Sequence, residues 1–259
     1  MLSENQNLLS KETLCRAMGA LSDRFLPSTY AEIDSTNAEA KRLALDGVKF
    51  AVVAADFQTA GRGRMGRSFY SPNGRGAYFS ILYTPTASLS DAVSVTSASA
   101  VAVMHAIRSL CDRQTEIKWV NDLYLDEKKV CGILAESVCR ADGTYGIIIG
   151  IGINLHGRFE GELAEIASSI DANVTREELI AEVLRELLPY LDDPSDRSWL
   201  MDYRLHSCVL GREITWTRTG ETWSGRAIDI DENGALLVQT ASGEQMRLAT
   251  GEISLRVNS

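Results

Sequence analysis

Three glycines and three arginines interleave in Gly61-Arg62-Gly63-Arg64-Met65-Gly66-Arg67. Each guanidinium is a planar fork of donors that matches a carboxylate or phosphate. The same residues satisfy the Gly-x-Gly-x-x-Gly dinucleotide fingerprint. That fingerprint needs a helix opening at the glycines, whose N-terminus receives the pyrophosphate. Here the glycines lead into Ser68-Phe69-Tyr70-Ser71-Pro72-Asn73-Gly74, which is loop chemistry, and no acidic residue ends a second parallel strand at the right distance. A mobile basic loop that folds around anionic groups remains, beside the plainer reading of a solvated turn.

A second group is Lys118-Trp119-Val120-Asn121-Asp122, followed by Lys129-Val130-Cys131-Gly132-Ile133-Leu134-Ala135-Glu136. Read as a strand, Lys118 and Val120 share one face, and Trp119 and Asn121 the other. Asn and Asp are disfavoured in strands, so something other than packing keeps Asn121 and Asp122 there. An Asp that holds Mg2+ beside nucleotide phosphates meets that requirement. Lys129 is a point charge suited to a carboxylate that becomes a phosphate ester. The alternative is a solvent-facing hairpin with Asp126-Glu127-Lys128-Lys129 as its charged turn.

Asp34-Ser35-Thr36-Asn37-Ala38-Glu39 predicts a helix start, with Thr36 and Glu39 forming a capping box. Hydroxyls and an amide at a helix N-terminus can also hydrogen-bond a polar ligand. In Gly150-Ile151-Gly152-Ile153-Asn154-Leu155, glycines inside an apolar strand mark close approach by a ligand or another chain. Asn154 at the strand's end could read a nucleobase or phosphate.

The pattern of apolar residues predicts the elements that carry these groups. One amphipathic helix is expected over 9–25, capped by Ser10, and a second from Ser35 to about Asp46. Strands are expected over 50–57 and 77–84, flanking the loop 59–76, and a small-residue helix over 91–111. Strands at 116–125, 129–138 and 145–153 form an antiparallel meander. Helices follow at 175–191, opened by a Thr175…Glu178 capping box, and at 198–206. Short β segments at 213–218, 222–230, 235–239, 244–248 and 254–257 then predict a small SH3-like barrel attached to an α+β domain.

Composition narrows the function. Asp and Glu total 35 against 26 Lys and Arg, a formal charge of -9, which opposes DNA binding because its affinity comes largely from phosphate neutralisation. The five cysteines and three histidines show no metal-type spacing and read as thiols and imidazoles of a reducing cytoplasm. Residues 1–10 lack the apolar core of a signal peptide, and no apolar run is long enough to span a membrane.

Ser35-Thr36-Asn37, Gln58-Thr59-Ala60-Gly61-Arg62-Gly63-Arg64, Lys118-Trp119-Val120-Asn121-Asp122, Lys129-Val130-Cys131-Gly132-Ile133-Leu134 and Gly150-Ile151-Gly152-Ile153-Asn154 stand in the order and approximate spacing of biotin–protein ligases. Any one motif is weak; five in order are specific. The resemblance covers roughly 29–257; Phe69 stands where many members have tryptophan, and Val120 where many have proline. It implies an α+β fold, a mixed and largely antiparallel sheet with helices of the class II synthetase-like kind, then the SH3-like module. The implied domains are a helical extension at 1–28, a catalytic domain at 29–208 and a β domain at 209–259. The 28 residues before the core are too few for the winged-helix DNA-binding domain of repressor members.

The implied activity converts biotin and ATP, with Mg2+, to biotinyl-5′-AMP and pyrophosphate, then passes biotin to a lysine of a biotin carboxyl carrier protein. By the same resemblance Ser35, Thr36, Asn37, Gln58, Gly61, Arg62, Gly63, Arg64, Lys129 and Gly132 bind biotin. Arg64, Arg67, Phe69, Lys118, Asn121, Asp122 and Asn154 bind ATP; Asp122 holds Mg2+; Lys129, Arg64 and Asp122 carry the catalysis. The expected partners exclude DNA and membranes, and the protein is expected to be a cytoplasmic monomer or weak homodimer.

Overall fold

Alternate residues of the central strands bury on opposite faces, and that period of two sets the layers. In β2 (Ala51–Gln58), Val52 and Ala54 join one apolar core, while Ala51 and Val53 join another. The computed structural model describes residues 8–85, 92–218, 220–249, 251 and 253–255. Its larger sheet contains β1 (Leu26–Ile33), β2, β3 (Gly76–Tyr83), β4 (Glu116–Lys118), β5 (Asp122–Leu125), β6 (Lys128–Cys139) and β7 (Tyr145–Asn154). The order is β1-β2-β3-β7-β6-β5-β4, with β1 and β2 parallel and the other neighbours antiparallel.

Helix α3 (Thr36–Leu45) covers one face through Ala40 and Ala44, against Val53, Leu82, Val138 and Ile148. The opposite face packs on α4 (Ala92–Cys111) and α6 (Arg176–Asp192). Against the expectation that no apolar run could span a membrane, helix α4 is apolar and long enough to cross one by length and composition, and 67% of its most apolar window is buried inside the fold. The cap of α6 is the expected box, with the Glu178 amide donating to the Thr175 hydroxyl and Glu178 returning to the Thr175 amide.

A second, antiparallel sheet has the order β11-β10-β9-β8-β12, built from β8 (Glu213–Arg218), β9 (Glu221–Ile230), β10 (Leu236–Thr240), β11 (Gln245–Leu248) and β12 (Ile253–Leu255). Its core residues Ile214, Ala227, Leu236 and Val238 are continuous with the core of the first sheet. The Trp119 indole donates to the Gly234 carbonyl at 2.9 Å, and Arg204 on α7 (Trp199–Leu205) pairs with Asp229 at 2.8 Å.

Four expectations need correction. The helix predicted over 9–25 breaks into α1 (Lys11–Met18) and α2 (Leu21–Arg24), because Gly19 adopts φ +57° between them. Strand β1 was not expected: its burial does not alternate, and Pro27 obscures it. The strand predicted over 116–125 is a hairpin, with Lys118 opposite Asp122 and a cis peptide between Trp119 and Val120. Lys118 and Asp122 therefore meet as cross-strand neighbours. The Thr36–Glu39 capping box is also absent: Ser35 holds the N-cap position without a side-chain capping bond, and Glu39 instead binds Tyr30 and Arg42. Asp91, at the start of the predicted 91–111 helix, and 256–257, at the end of the last predicted strand, lie outside the described residues.

Candidate active site

Gly150 and Gly152 sit on the α3 face of β7, while Ile149, Ile151 and Ile153 point into the opposite core. Gly132 pairs directly with Gly152 across the β6–β7 ladder. Three missing side chains thus open a trough in a sheet that is otherwise filled. A Cβ on Gly150 would collide with the Asn37 amide, and one on Gly152 with the Phe69 ring. A cleft lies over this floor, open to solvent at its mouth. Ser35, Thr36 and Asn37 from the start of α3, Gln58 from the end of β2, and Arg62, Gly63, Arg64 and Phe69 from the loop form its walls.

The polar wall is tightly bonded. The Thr36 amide donates to Gln58 Oε1 at 2.9 Å, and Gln58 Nε2 donates to the Ser71 hydroxyl at 2.9 Å. Asn37 Nδ2 donates to Glu136 Oε2 at 2.6 Å, while Asn37 Oδ1 accepts from the Ser80 hydroxyl at 2.6 Å. Ser80 also lies 2.7 Å from the Thr36 hydroxyl. The Ser35 hydroxyl, free of any capping duty, and the second hydrogen of Gln58 Nε2 are left to a ligand.

A second cleft joins the first through Gly63, Arg64, Phe69, Asn121 and Lys129, which line both. Its cationic side carries Arg64, Arg67, Lys118 and Lys129. Lys129 pairs with Asp122 at 2.7 Å, and Arg64 donates to Asn121 Oδ1 at 3.1 Å. Lys118 donates to the Tyr124 hydroxyl at 3.4 Å, and burial pushes that hydroxyl's pKa up, so it stays protonated at neutral pH. The opposite side is apolar, made by Tyr70, Phe159, and Leu163 and Ile166 of α5 (Leu163–Ile166). Gly251, Ile253 and Ser254 of the second sheet close one end.

Sixteen residues were singled out from sequence, and the two clefts gather all but Gly61 into their walls. Gly61 lies beneath the loop, where a Cβ would stand 2.5 Å from the Phe69 carbonyl. Both amide groups of Asn37 are already bonded, so it shapes the wall. The Asn154 amide donates to the Ser168 and Lys129 carbonyls at 3.1 and 3.4 Å, and the residue lines the second cleft.

No pairing of three His, Cys, Asp or Glu stands close enough to form a metal cage among the described residues. Asp122 Oδ1 is buried and has the Lys129 ion pair but no well-angled hydrogen bond. Such an oxygen suits one position on a Mg2+ ion whose remaining ligands are phosphate oxygens and water. Sequence reasoning missed Ser80, Glu136, Phe159, Leu163 and Ile166. Glu136 carried a signal, a carboxylate at the end of an apolar strand; Phe159, Leu163 and Ile166 carried none.

Two family models match the chain: Biotin/lipoate A/B protein ligase family over residues 30–154, and Biotin protein ligase C terminal domain over 209–256. The chain is 33% identical over 226 residues to the bifunctional ligase/repressor BirA of Bacillus spizizenii, covering 82% of this chain and 68% of that protein. It is 32% identical over 234 residues to the biotin--[acetyl-CoA-carboxylase] ligase of Paracoccus denitrificans, covering 83% and 95%. The biotin protein ligase of Aquifex aeolicus, solved in complex with biotin and ATP, superposes with a TM-score of 0.75 at 28% identity, over 90% of this chain and 99% of that one.

Proposed function

The chain belongs to the biotin/lipoate A/B protein ligase family, and we infer that it is a biotin–protein ligase whose two joined clefts take biotin and ATP. The observation that carries the reading is the join itself. A neutral, hydrogen-bonding trough meets a cationic cleft at Arg64 and Lys129, where a carboxylate in one would touch a phosphate in the other.

Biotin's ureido ring lies against Ser35, Thr36 and Gln58, with its carboxylate toward Lys129 and Arg64. A buried polar group left unpaired costs about 1–3 kcal/mol, so this wall rejects acyl chains that lack the ring. The carboxylate oxygen attacks the α-phosphorus of ATP; the new P–O bond forms as the bond to the β-phosphate breaks, releasing pyrophosphate. Arg64, Arg67, Lys118 and Lys129 offset the negative charge that gathers there. Asp122 would hold Mg2+ with the phosphates, and the ion supplies further charge neutralisation. The nucleobase packs against Phe159, Leu163 and Ile166, with Asn154 at its edge.

The mixed anhydride is then attacked at its carbonyl carbon by a carrier lysine. An amide forms, AMP leaves with the electron pair of the C–O bond, and Asp122 is placed to accept the amine's proton. The loop 59–76 shields the anhydride from water until the lysine arrives. The acceptor is a biotin carboxyl carrier protein. The remaining parts of the reading are a cytoplasmic enzyme, monomeric or weakly dimeric, that binds neither DNA nor membranes.

Incubation with biotin, ATP, Mg2+ and a carrier protein tests it. Pyrophosphate release and a biotinylated acceptor are the expected result. Turnover with octanoate or lipoate in place of biotin would move the chain to the other arm of its family.

A further inference from the structure

Residues paired across an antiparallel ladder share a face. In the β4–β5 hairpin Lys118 stands directly opposite Asp122, and Glu116 opposite Tyr124. In the β5–β6 ladder a bulge follows Leu123. Val130 and Cys131 both enter the core there, which turns Lys129 to the cleft face, opposite Tyr124. One face of this three-stranded meander therefore carries Lys118, Lys129, Asp122 and Tyr124, and all four line the second cleft.

Two lysines here face one carboxylate. The Cβ atoms of directly opposed residues lie about 4.5–5.5 Å apart, so the stem of Lys118 is long enough to reach Asp122. Yet Asp122 pairs with Lys129 at 2.7 Å, and Lys118 makes no ion pair among the described residues, either with Asp122 or with Glu116 on the same face. Its ammonium lies on the diagonal neighbour instead, 5.2 Å from the centre of the Tyr124 ring and 3.4 Å from its hydroxyl. A ring face attracts an ammonium but brings no net charge to neutralise it. Lys118 is thus held in place with its charge intact.

We propose that Tyr124 is a positioning residue for the nucleotide: it holds the Lys118 ammonium away from the facing Asp122, so that this charge meets phosphate oxygens rather than a protein carboxylate. Without the ring, Lys118 falls onto Asp122, and one carboxylate then answers two lysines. The inference rests on the ATP reading of the second cleft and adds what keeps a cation of that cleft apart from its own carboxylate.

The test measures ATP binding to the full chain by calorimetry, in EDTA and without biotin, so that neither turnover nor a metal ion enters the result. Tyr124→Leu is expected to weaken ATP binding about tenfold and to leave biotin binding, measured separately, within about twofold. Tyr124→Phe keeps the ring beside the ammonium and should stay within about threefold of the unmodified chain. Two backgrounds then separate positioning from packing. Lys118→Met leaves no ammonium to hold, and Asp122→Asn leaves no charge for it to fall onto. In each, adding Tyr124→Leu should change ATP binding by less than about twofold. A tenfold loss that persists in either background overturns the proposal, as does an equal loss for ATP and biotin, because lost packing would act in those ways. A Tyr124→Leu chain that binds ATP like the unmodified one overturns it too. An unmodified chain that binds biotin but no ATP would remove the nucleotide reading together with the proposal.

Discussion

The two clefts share a border and differ in how their polar groups are held. In the first, the hydrogen bonds that define the wall, from Glu136 through Asn37, Ser80, Thr36 and Gln58, run between protein groups on the sheet and on α3, and only the last, to Ser71, reaches the loop. In the second, the charges stand on long side chains of a loop and a hairpin, and their contacts, such as Lys129 to Asp122 and Arg64 to Asn121, are ones a phosphate could replace. The first is built to discriminate among neutral groups by shape and donor pattern. The second is built to neutralise charge, which needs proximity more than direction.

The comparison breaks most easily at the border. Lys129→Ala and Arg64→Ala should each lower the rate of pyrophosphate release by roughly 10²–10³ while the fold is retained, since each removes a placed charge from the reacting phosphate. Near wild-type release in either variant would take that residue out of the mechanism.

A substitution in the floor beneath Asn37 should act on one cleft alone. Gly150→Ala drives a methyl into the Asn37 amide, which lines the first cleft and not the second. Overpacking of this kind should raise KM for biotin about tenfold or more and leave KM for ATP within a few-fold. An equal rise for both substrates would mean that the clefts are not separable.

The loop should show the adaptable character of the second cleft. Its arginines repel one another without ligand, and ordering each residue costs about 1–2 kcal/mol of backbone entropy. Saturating biotin and ATP are expected to protect Arg62, Arg64 and Arg67 from limited trypsin digestion. Equal cutting with and without ligand would remove the loop's shielding role.

The smallest effect concerns the start of α3. Arg42 hydrogen-bonds the Asp34 carboxyl and holds its pKa at about 2, below the usual 3.8. A depressed carboxyl pKa stabilises the fold above the ordinary value and loses that contribution as the pH falls from about 4 to about 2. The pair is half exposed, so the effect is modest. Wild type and Arg42→Leu should differ slightly in thermal midpoint at pH 5 and converge near pH 2; a constant difference would assign the stabilisation to something else.

Local patterning made much of this legible. Alternation of glycine with isoleucine in Gly150-Ile151-Gly152-Ile153 announced a strand with one filled and one open face, and the Asp126–Glu127 turn announced the β5–β6 hairpin. What stayed hidden depended on partners distant in sequence. Strand β1 is identified by its parallel pairing with β2, which its own composition does not show. Glu136 meets the Asn37 amide, 99 residues earlier in the chain, a contact no local pattern announces. The capping box at Thr36 failed for the same reason: the hydroxyl that would have capped the helix is claimed by β2 and β3.

The turn at Gly234 is held by two masters. Its carbonyl takes the Trp119 indole of the β4–β5 hairpin, and a Cβ on it would stand 2.6 Å from the Ser97 hydroxyl of α4. Residues 119, 97 and 234 therefore cannot drift independently through evolution, although they lie in three separate stretches of chain. A chimera that grafts a relative's C-terminal sheet onto residues 8–208 would inherit activity only if the donor's β9–β10 turn brings a small residue and a free carbonyl to that one point.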